Sequence, residues 1–201
     1  MEDRPTDDPS ALHELIPLTR RNEQGQLYTR DEDVEEQIKR LLGQAPDTIL
    51  VQTSVADKAS ESFLREEVLV YFLRGFQTSG NEQAVTQLSK ALLERFPSVT
   101  KHRLASLGRD EQDQAYTDVV QEIFSLIFDL STDRADFLQV KFKKVLMRRA
   151  INAFDRYKQR RSYELTGMEG DTAEDEDNSS FRIANVPDPG IGIEERTLVL
   201  Q

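Results

Sequence analysis

The segment SESFLREEVLVYFLRGFQT, residues 60–78, decides the fold of this chain. Its apolar residues recur at three- and four-residue intervals, which is the spacing of an α-helix rather than of a strand. They cover a wider arc than one buried face requires, so we expect a helix with packing partners on two sides. The apolar positions are Phe63, Leu64, Val68, Tyr71, Phe72, Leu73 and Phe76.

Further helices are predicted on both sides of this segment. Downstream, after Ser79-Gly80-Asn81, apolar residues keep helical spacing over 82–96, 112–130 and 134–162, and Pro97 suits the first turn of a helix ending at Gly108. Upstream, Thr29–Glu32 has capping-box form and predicts one short helix at about 31–43. Asp47–Thr53 is the one stretch resembling a strand, and since it has nothing to pair with, we expect an extended linker there.

These segments predict an all-α protein built around a compact multi-helix bundle over residues 59–163. Residues 1–58 are expected to form an N-terminal arm, because they hold little periodicity outside the short helix. Residues 164–192 are polar and acidic and contain Pro187-Asp188-Pro189-Gly190, which predicts a disordered acidic linker. Residues 193–201 resemble the start of a further helix.

The composition excludes several classes of protein. The chain of 201 residues contains no Cys, which rules out disulfide scaffolds, thiolate metal sites and cysteine nucleophiles. No apolar run approaches the roughly 20 residues of a membrane span, and the acidic start is unlike a secretory signal. We therefore expect a cytoplasmic protein with no membrane partner.

No residues suggest catalysis. His13 and His102 have no carboxylate at the spacing of a metal pair and are expected to be surface residues. Phosphate-binding glycine loops, the HExxH motif and the GxSxG motif are all missing from the sequence. The sequence predicts no catalytic residue, no metal site and no cofactor.

The charge is unevenly distributed. The net charge is −11, yet residues 141–161 hold nine basic residues and one acid, Asp155, and an acidic run follows at 169–177. A basic helix on an acidic protein indicates where a polyanion would dock, although a solvated helix face accounts for such a run equally well. The basic residues are Lys141, Lys143, Lys144, Arg148, Arg149, Arg156, Lys158, Arg160 and Arg161.

The helix predicted over 112–130 carries a polar stripe opposite its apolar one, made of Asp118, Gln121, Glu122, Ser125 and Asp129. Phe124 and Phe128 flank that stripe. Either both rings reach the core from the edge of a wide apolar face, or the helix presents acids and an aromatic rim to a basic protein partner.

The helix predicted over 134–162 carries basic residues on one flank and behind it. Arg and Asn make phosphate and base contacts, and Tyr157 and Phe154 near the same edge would stack on an unpaired base. The helix dipole offers a structural explanation for the basic residues at its carboxyl end. The flank consists of Arg149, Asn152, Arg156 and Arg160, with Lys141, Lys144 and Arg148 behind.

In order and spacing, these two helices resemble the second conserved region of bacterial RNA polymerase sigma factors, most closely the extracytoplasmic-function type and divergent members. The resemblance rests on Asp118-Val-Val-Gln121-Glu122-Ile-Phe124, then Phe142-Lys-Lys-Val145-Leu146, then the basic run from Arg148 to Tyr157. It covers about 100 of the 201 residues. Val145 stands where the family usually has tryptophan. The resemblance implies that residues 193–201 either begin a truncated domain that reads the −35 element or belong to a factor reduced to its polymerase-binding half.

The resemblance implies a transcription initiation factor without catalytic activity. It places Asp118, Gln121, Glu122 and Ser125 against the clamp coiled coil of core RNA polymerase. It places the basic helix on promoter DNA at the −10 element, including its melted single strand, and allows an anti-sigma factor as a further partner. The residues expected to approach DNA are Lys144, Arg148, Arg149, Asn152, Arg156, Tyr157, Arg160 and Arg161.

An alternative function is a helical protein-interaction module, either an adaptor or a sigma antagonist, whose basic helix binds an acidic partner. Salt dependence separates the two, because binding through several phosphates weakens steeply as salt is added.

Overall fold

The computed structural model describes residues 12–166, with side chains through residue 163. The predicted all-α class is confirmed for this part of the chain. Its elements are α1 (Glu32–Leu41), α2 (Pro46–Gln52), α3 (Glu66–Ser79), α4 (Glu82–Leu93), α5 (Phe96–Leu104), α6 (Arg109–Phe128), a 3-10 helix (Arg134–Phe137) and α7 (Leu138–Thr166).

Helix α3 lies at the centre, as the wide apolar arc of residues 60–78 predicts. Ten of its fourteen residues are buried, and it packs against α1, α4, α6 and α7. Gly80 ends the helix with a left-handed φ of 75°, and the Asn81 side chain then accepts a hydrogen bond from the Ala84 backbone N–H to begin α4. The helix break predicted at Ser79-Gly80-Asn81 is therefore confirmed.

An aromatic cluster joins α5, α6 and α7. The Phe96 ring lies 5.8 Å from the Phe142 ring and 5.9 Å from the Phe124 ring, measured between centroids. Phe96 and Phe142 are fully buried, so these contacts fix how α6 and α7 sit beside α5. Phe124 thus reaches the core from the edge of α6, whereas Phe128 remains 37% exposed.

Helix α7 is interrupted near its start, where the sequence predicts a continuous helix over 134–162. A 3-10 turn precedes it, and Lys141 has φ −145° and ψ 55°, outside the helical region. The Glu67 side chain accepts a hydrogen bond from the Phe142 N–H at 3.2 Å, which caps the helix where it resumes. The basic segment of α7 begins at this break.

The N-terminal arm packs on the bundle through buried polar side chains. Backbone N–H groups of Thr19 and Arg20 donate to the Asp136 carboxylate at 2.7 and 3.1 Å. The buried Arg30 guanidinium donates to Gln139 Oε1 at 2.7 Å and to the Ile16 carbonyl at 2.8 Å. These bonds tie residues 16–30 to the beginning of α7.

The expectation of an extended linker over Asp47–Thr53 is wrong, because α2 occupies Pro46–Gln52. In a helix, Pro46, Ile49 and Leu50 share one face at positions i, i+3 and i+4, and all three are buried, with α2 packed against α4. Val51 is 71% exposed instead of sharing a strand face with Ile49. The arm therefore holds two helices rather than one.

The one helix predicted at about 31–43 is confirmed as α1, although the capping box is not. Asp31 is the N-cap residue and makes no capping hydrogen bond; its carboxylate lies 3.6 Å from Lys141 Nζ and 3.8 Å from Arg65 Nη2. The residue at the N-cap position therefore forms ion pairs instead of a capping hydrogen bond.

Two predictions fall largely outside the described residues. The linker expected over 164–192 lies outside them apart from its first three residues, which are the last three of α7, and the helix expected over 193–201 lies outside them entirely. Within residues 12–166, no helix has the length and apolar content needed to cross a bilayer.

Candidate functional site

The polar stripe of α6 is positioned by four buried residues on its opposite face. Ala115, Val119, Ile123 and Ile127 recur every four positions and are fully buried. Helical geometry then turns the intervening polar residues outward. Gln121 and Ser125 are exposed, and Asp118 and Glu122 are half-buried. The structure thus places together the four residues that the resemblance assigns to polymerase binding.

The basic residues of α7 form two rows. The outer row faces solvent: Lys144, Arg148 and Asn152 follow one another at four-residue spacing and are all exposed. Among the side chains of residues 12–163, no carboxylate lies within 4.0 Å of either cation of this row. Their charges are therefore available to a partner.

The inner row lies against α6 and is paired with its acids. Arg156 Nη2 donates a hydrogen bond to Glu122 Oε1 at 2.8 Å and lies 3.9 Å from Asp118 Oδ2. Arg149 Nη1 lies 3.3 Å from Glu122 Oε2. One carboxylate therefore bridges two arginines, using a different oxygen for each.

Tyr157 belongs to the same interface. Its hydroxyl donates to Asp118 Oδ2 at 3.1 Å. Desolvation first, and then the hydrogen bond to Asp118, raise the pKa of Tyr157 above its usual value, so the phenol keeps its proton and remains a donor. Further along α7, Arg161 Nη1 lies 4.0 Å from Glu111 Oε2, while Arg160 is exposed.

Phe154 and Tyr157 contact different neighbours of α7. The Arg103 guanidinium of α5 lies 4.8 Å from the centre of the Phe154 ring, whereas Tyr157 contacts Asp118 of α6. Residues i and i+3 lie on the same side of a helix, so the two rings stay near one edge of α7 while each contacts a different neighbouring helix. That they stack on an unpaired base stays a prediction.

An open cleft of about 500 Å³ runs between α6 and α7. It holds three acids and three arginines, so its charge is balanced and its lining is mostly polar. The lining residues are Asp118, Gln121, Glu122, Ser125, Leu126, Asp129, Arg134, Arg149 and Arg156.

Two charged residues of this cleft are not among the residues predicted to bind polymerase or DNA, although Asp129 belongs to the polar stripe predicted on α6. Arg134 is the first residue of the helix that the sequence predicts over 134–162, and it lies in the 3-10 helix, outside the basic run of residues 141–161. Asp129 accepts hydrogen bonds from Ser131 and Thr132, and these bonds lower its pKa, so it is an anion that also closes the turn after α6. Asp129, Ser131 and Thr132 are residue types that favour turns and could have indicated this one.

The predicted surface positions of His13 and His102 are confirmed, since both are exposed. Among the side chains that the structure describes, those of residues 12–163, no group of three His, Cys, Asp or Glu is arranged to hold a metal ion.

Comparison with models of protein families, with curated proteins and with solved structures finds no match to this chain. The residues and their geometry therefore carry the functional assignment alone.

Proposed function

We propose that this chain is a sigma-like transcription initiation factor that binds core RNA polymerase through α6 and promoter DNA through α7, without catalysis of its own. The observation that carries the proposal is the placement of the motif residues. Gln121 and Ser125 lie exposed on the outer face of α6, with Asp118 and Glu122 half-buried beside them, while the helix is held by a separate apolar face. The polarity of Gln121 and Ser125 is therefore not needed to build the core.

The outer face of α6 suits a basic protein partner. Carboxylates next to an amide and a hydroxyl accept and donate hydrogen bonds along about two turns of helix. A coiled coil with basic side chains would meet these groups in register, and the clamp coiled coil of core RNA polymerase is the partner we propose. A cytoplasmic location follows from that partner.

The outer row of α7 suits the DNA backbone. Lys144 and Arg148 would contact phosphates, and Asn152 would offer both a donor and an acceptor to a base edge or a phosphate. Arg149, Arg156 and Tyr157 lie next to this row, with Arg160 and Arg161 beyond them, so a strand crossing the outer row would pass close to the inner one.

The proposal is tested by capture of core RNA polymerase on the immobilised full chain. The variant Asp118→Arg/Glu122→Arg reverses the charge of the proposed surface and is expected to abolish capture. Asp110→Arg/Asp113→Arg is the matched control, because it makes the same change of charge at exposed positions of α6 outside the motif. Failure of the folded wild-type chain to capture polymerase, or equal loss in both variants, would refute the proposal.

The ion pairs between α6 and α7 favour a second candidate, a helical adaptor or sigma antagonist. Glu122 already occupies two of the arginines expected to approach DNA. In that case the outer row would bind an acidic protein. A dissociation constant for a promoter fragment that stays below a few micromolar at low salt, and rises steeply as salt is added, supports the DNA-binding function. The absence of measurable DNA binding supports the adaptor.

A further inference from the structure

Glu122 belongs at once to the surface proposed for polymerase and to the ion pairs that hold the inner row of α7. Its Oε1 accepts a hydrogen bond from Arg156 at 2.8 Å, and its Oε2 lies 3.3 Å from Arg149. A basic side chain of a protein partner and these two arginines would compete for the same two oxygens. A phosphate would likewise compete with Glu122 for the arginines.

We propose that Glu122 is a latch that couples the two surfaces: it withholds Arg149 and Arg156 from nucleic acid until a basic partner engages the α6 face. This inference rests on the proposed function and concerns the regulation of the same site. Because binding free energies are linked, nucleic acid on the arginines must also strengthen the binding of the basic partner to α6 by the same factor.

The surroundings of Glu122 support the latch. The side chains of Glu122 and Arg149 are 26% and 20% exposed, so this pair is better shielded from salt than a pair at the open surface. Asp118 Oδ2 accepts a hydrogen bond from the Tyr157 hydroxyl and lies 3.9 Å from Arg156 Nη2. Asp118 therefore adds a second acid, one helical turn before Glu122, to the contacts between α6 and α7. Lys144 and Arg148 have no such partner among the described residues.

Nucleic acid should therefore bind in two stages. In the free chain, nucleic acid contacts the outer row alone. Arg149 and Arg156 of the inner row contact it after a basic partner has bound the acids of α6. The cost of opening one such ion pair predicts a gain of about two- to fivefold in nucleic-acid affinity when the latch is removed.

The test compares Glu122→Gln with Asp155→Asn in the full chain. Both variants remove one negative charge without a change of size. Asp155 lies on α7 itself, among the basic residues, and its carboxylate lies 4.0 Å from Arg103 of α5, so its removal releases neither Arg149 nor Arg156. Affinity for a fluorescein-labelled single-stranded 15-mer is measured by anisotropy over a range of salt concentrations, with thermal unfolding as the check on folding.

The latch predicts that Glu122→Gln binds the 15-mer about two- to fivefold more tightly than wild type, with a salt slope steeper by about 0.7 for each arginine that gains a phosphate. Asp155→Asn should show a smaller gain and an unchanged slope. Equal gains with equal slopes would overturn the latch, because general electrostatics would then explain both.

A failed latch and a failed function give different results. If the wild-type chain captures polymerase and binds the 15-mer but the two variants behave alike, the latch alone is refuted. If neither the wild type nor either folded variant binds the 15-mer at low salt, both the latch and the DNA-binding function are refuted.

Discussion

Glu67 Oε1 accepts a hydrogen bond from the backbone N–H of Phe142 at 3.2 Å, one residue after Lys141 leaves the helical conformation. The bond joins the first turn of α3 to the point where α7 resumes. It supplies an acceptor to a backbone donor that has lost its partner within the helix. The Glu67 side chain is buried, so the path of α7 depends on a hydrogen-bond acceptor inside the bundle.

Glu67→Gln should stabilise the protein at neutral pH. Burial, and to a smaller extent the neighbouring Glu66 charge, raise the pKa of Glu67 above its usual value of 4.5. The folded state therefore binds this proton more tightly than the unfolded state, and stability falls as pH rises from about 4.5 through the folded pKa and then levels off. Glutamine keeps the acceptor and carries no charge, so its advantage in thermal unfolding should grow across that window.

Glu67→Ala separates the hydrogen bond from the charge. Alanine also removes the charge but leaves the Phe142 N–H without its acceptor, so it should be about 1 kcal/mol less stable than Glu67→Gln. Equal stability of the two variants at neutral pH would show that the hydrogen bond contributes nothing.

Arg30→Met should destabilise the fold by about 1–3 kcal/mol, because it leaves Gln139 Oε1 and the Ile16 carbonyl buried without their donor. Lysine should not restore the lost stability, since one ammonium cannot reproduce the fixed fork of the guanidinium. Urea unfolding measures both effects.

Arg40→Met is the matched control for Arg30→Met. Arg40 also donates to a backbone carbonyl, that of Glu61, but this bond is exposed, so its loss should change stability by no more than about 0.5 kcal/mol. A loss as large as that of Arg30→Met would argue against burial as the cause.

Gly75→Ala should loosen the start of the arm. A Cβ atom at Gly75 would overlap Leu12 Cδ1, and the Leu12 carbonyl accepts a hydrogen bond from the Gly43 N–H at 2.7 Å. The Leu12 side chain must therefore shift against α3, and hydrogen exchange near residues 12–20 should become faster.

The double variant shows whether Leu12 is the cause. In a Leu12→Ala background the overlap is gone, and Gly75→Ala should stabilise the protein by about 0.5–1 kcal/mol, the usual advantage of alanine inside a helix. The same substitution with Leu12 present should give a smaller gain or a loss. An identical effect in both backgrounds would exclude the contact.

The helices that bury one long apolar face could be predicted from the sequence, because periodicity alone determines their inner sides. Helix α2 could not, because Ile49 and Val51 alternate as in a strand, and its buried face of Pro46, Ile49 and Leu50 exists only once the segment packs against α4. The break at Lys141 depends on Glu67, a residue 74 positions away, as the acceptor for the next N–H.

The candidate site was predictable in composition but not in arrangement. The polar stripe of α6 and the basic row of α7 follow from helical spacing on each helix separately. Their pairing depends on how the helices rotate and slide against each other, which contacts such as Phe96 with Phe124 and with Phe142 determine. Sequence spacing therefore cannot show that Glu122 meets Arg149 and Arg156.

Lys144→Ala/Arg148→Ala should weaken DNA binding by the free chain, because these outer-row cations have no carboxylate partner among the described residues. The expected loss is about 1 kcal/mol per phosphate contact, with the salt slope for a single strand reduced by about 0.7 for each. Lys90→Ala/Lys101→Ala removes the same charge from exposed positions of α4 and α5 and should leave the slope unchanged. Anisotropy titrations with a labelled single-stranded oligonucleotide measure both quantities. A parallel loss of slope in the two double variants would mean that net charge, and not the outer row of α7, holds the nucleic acid.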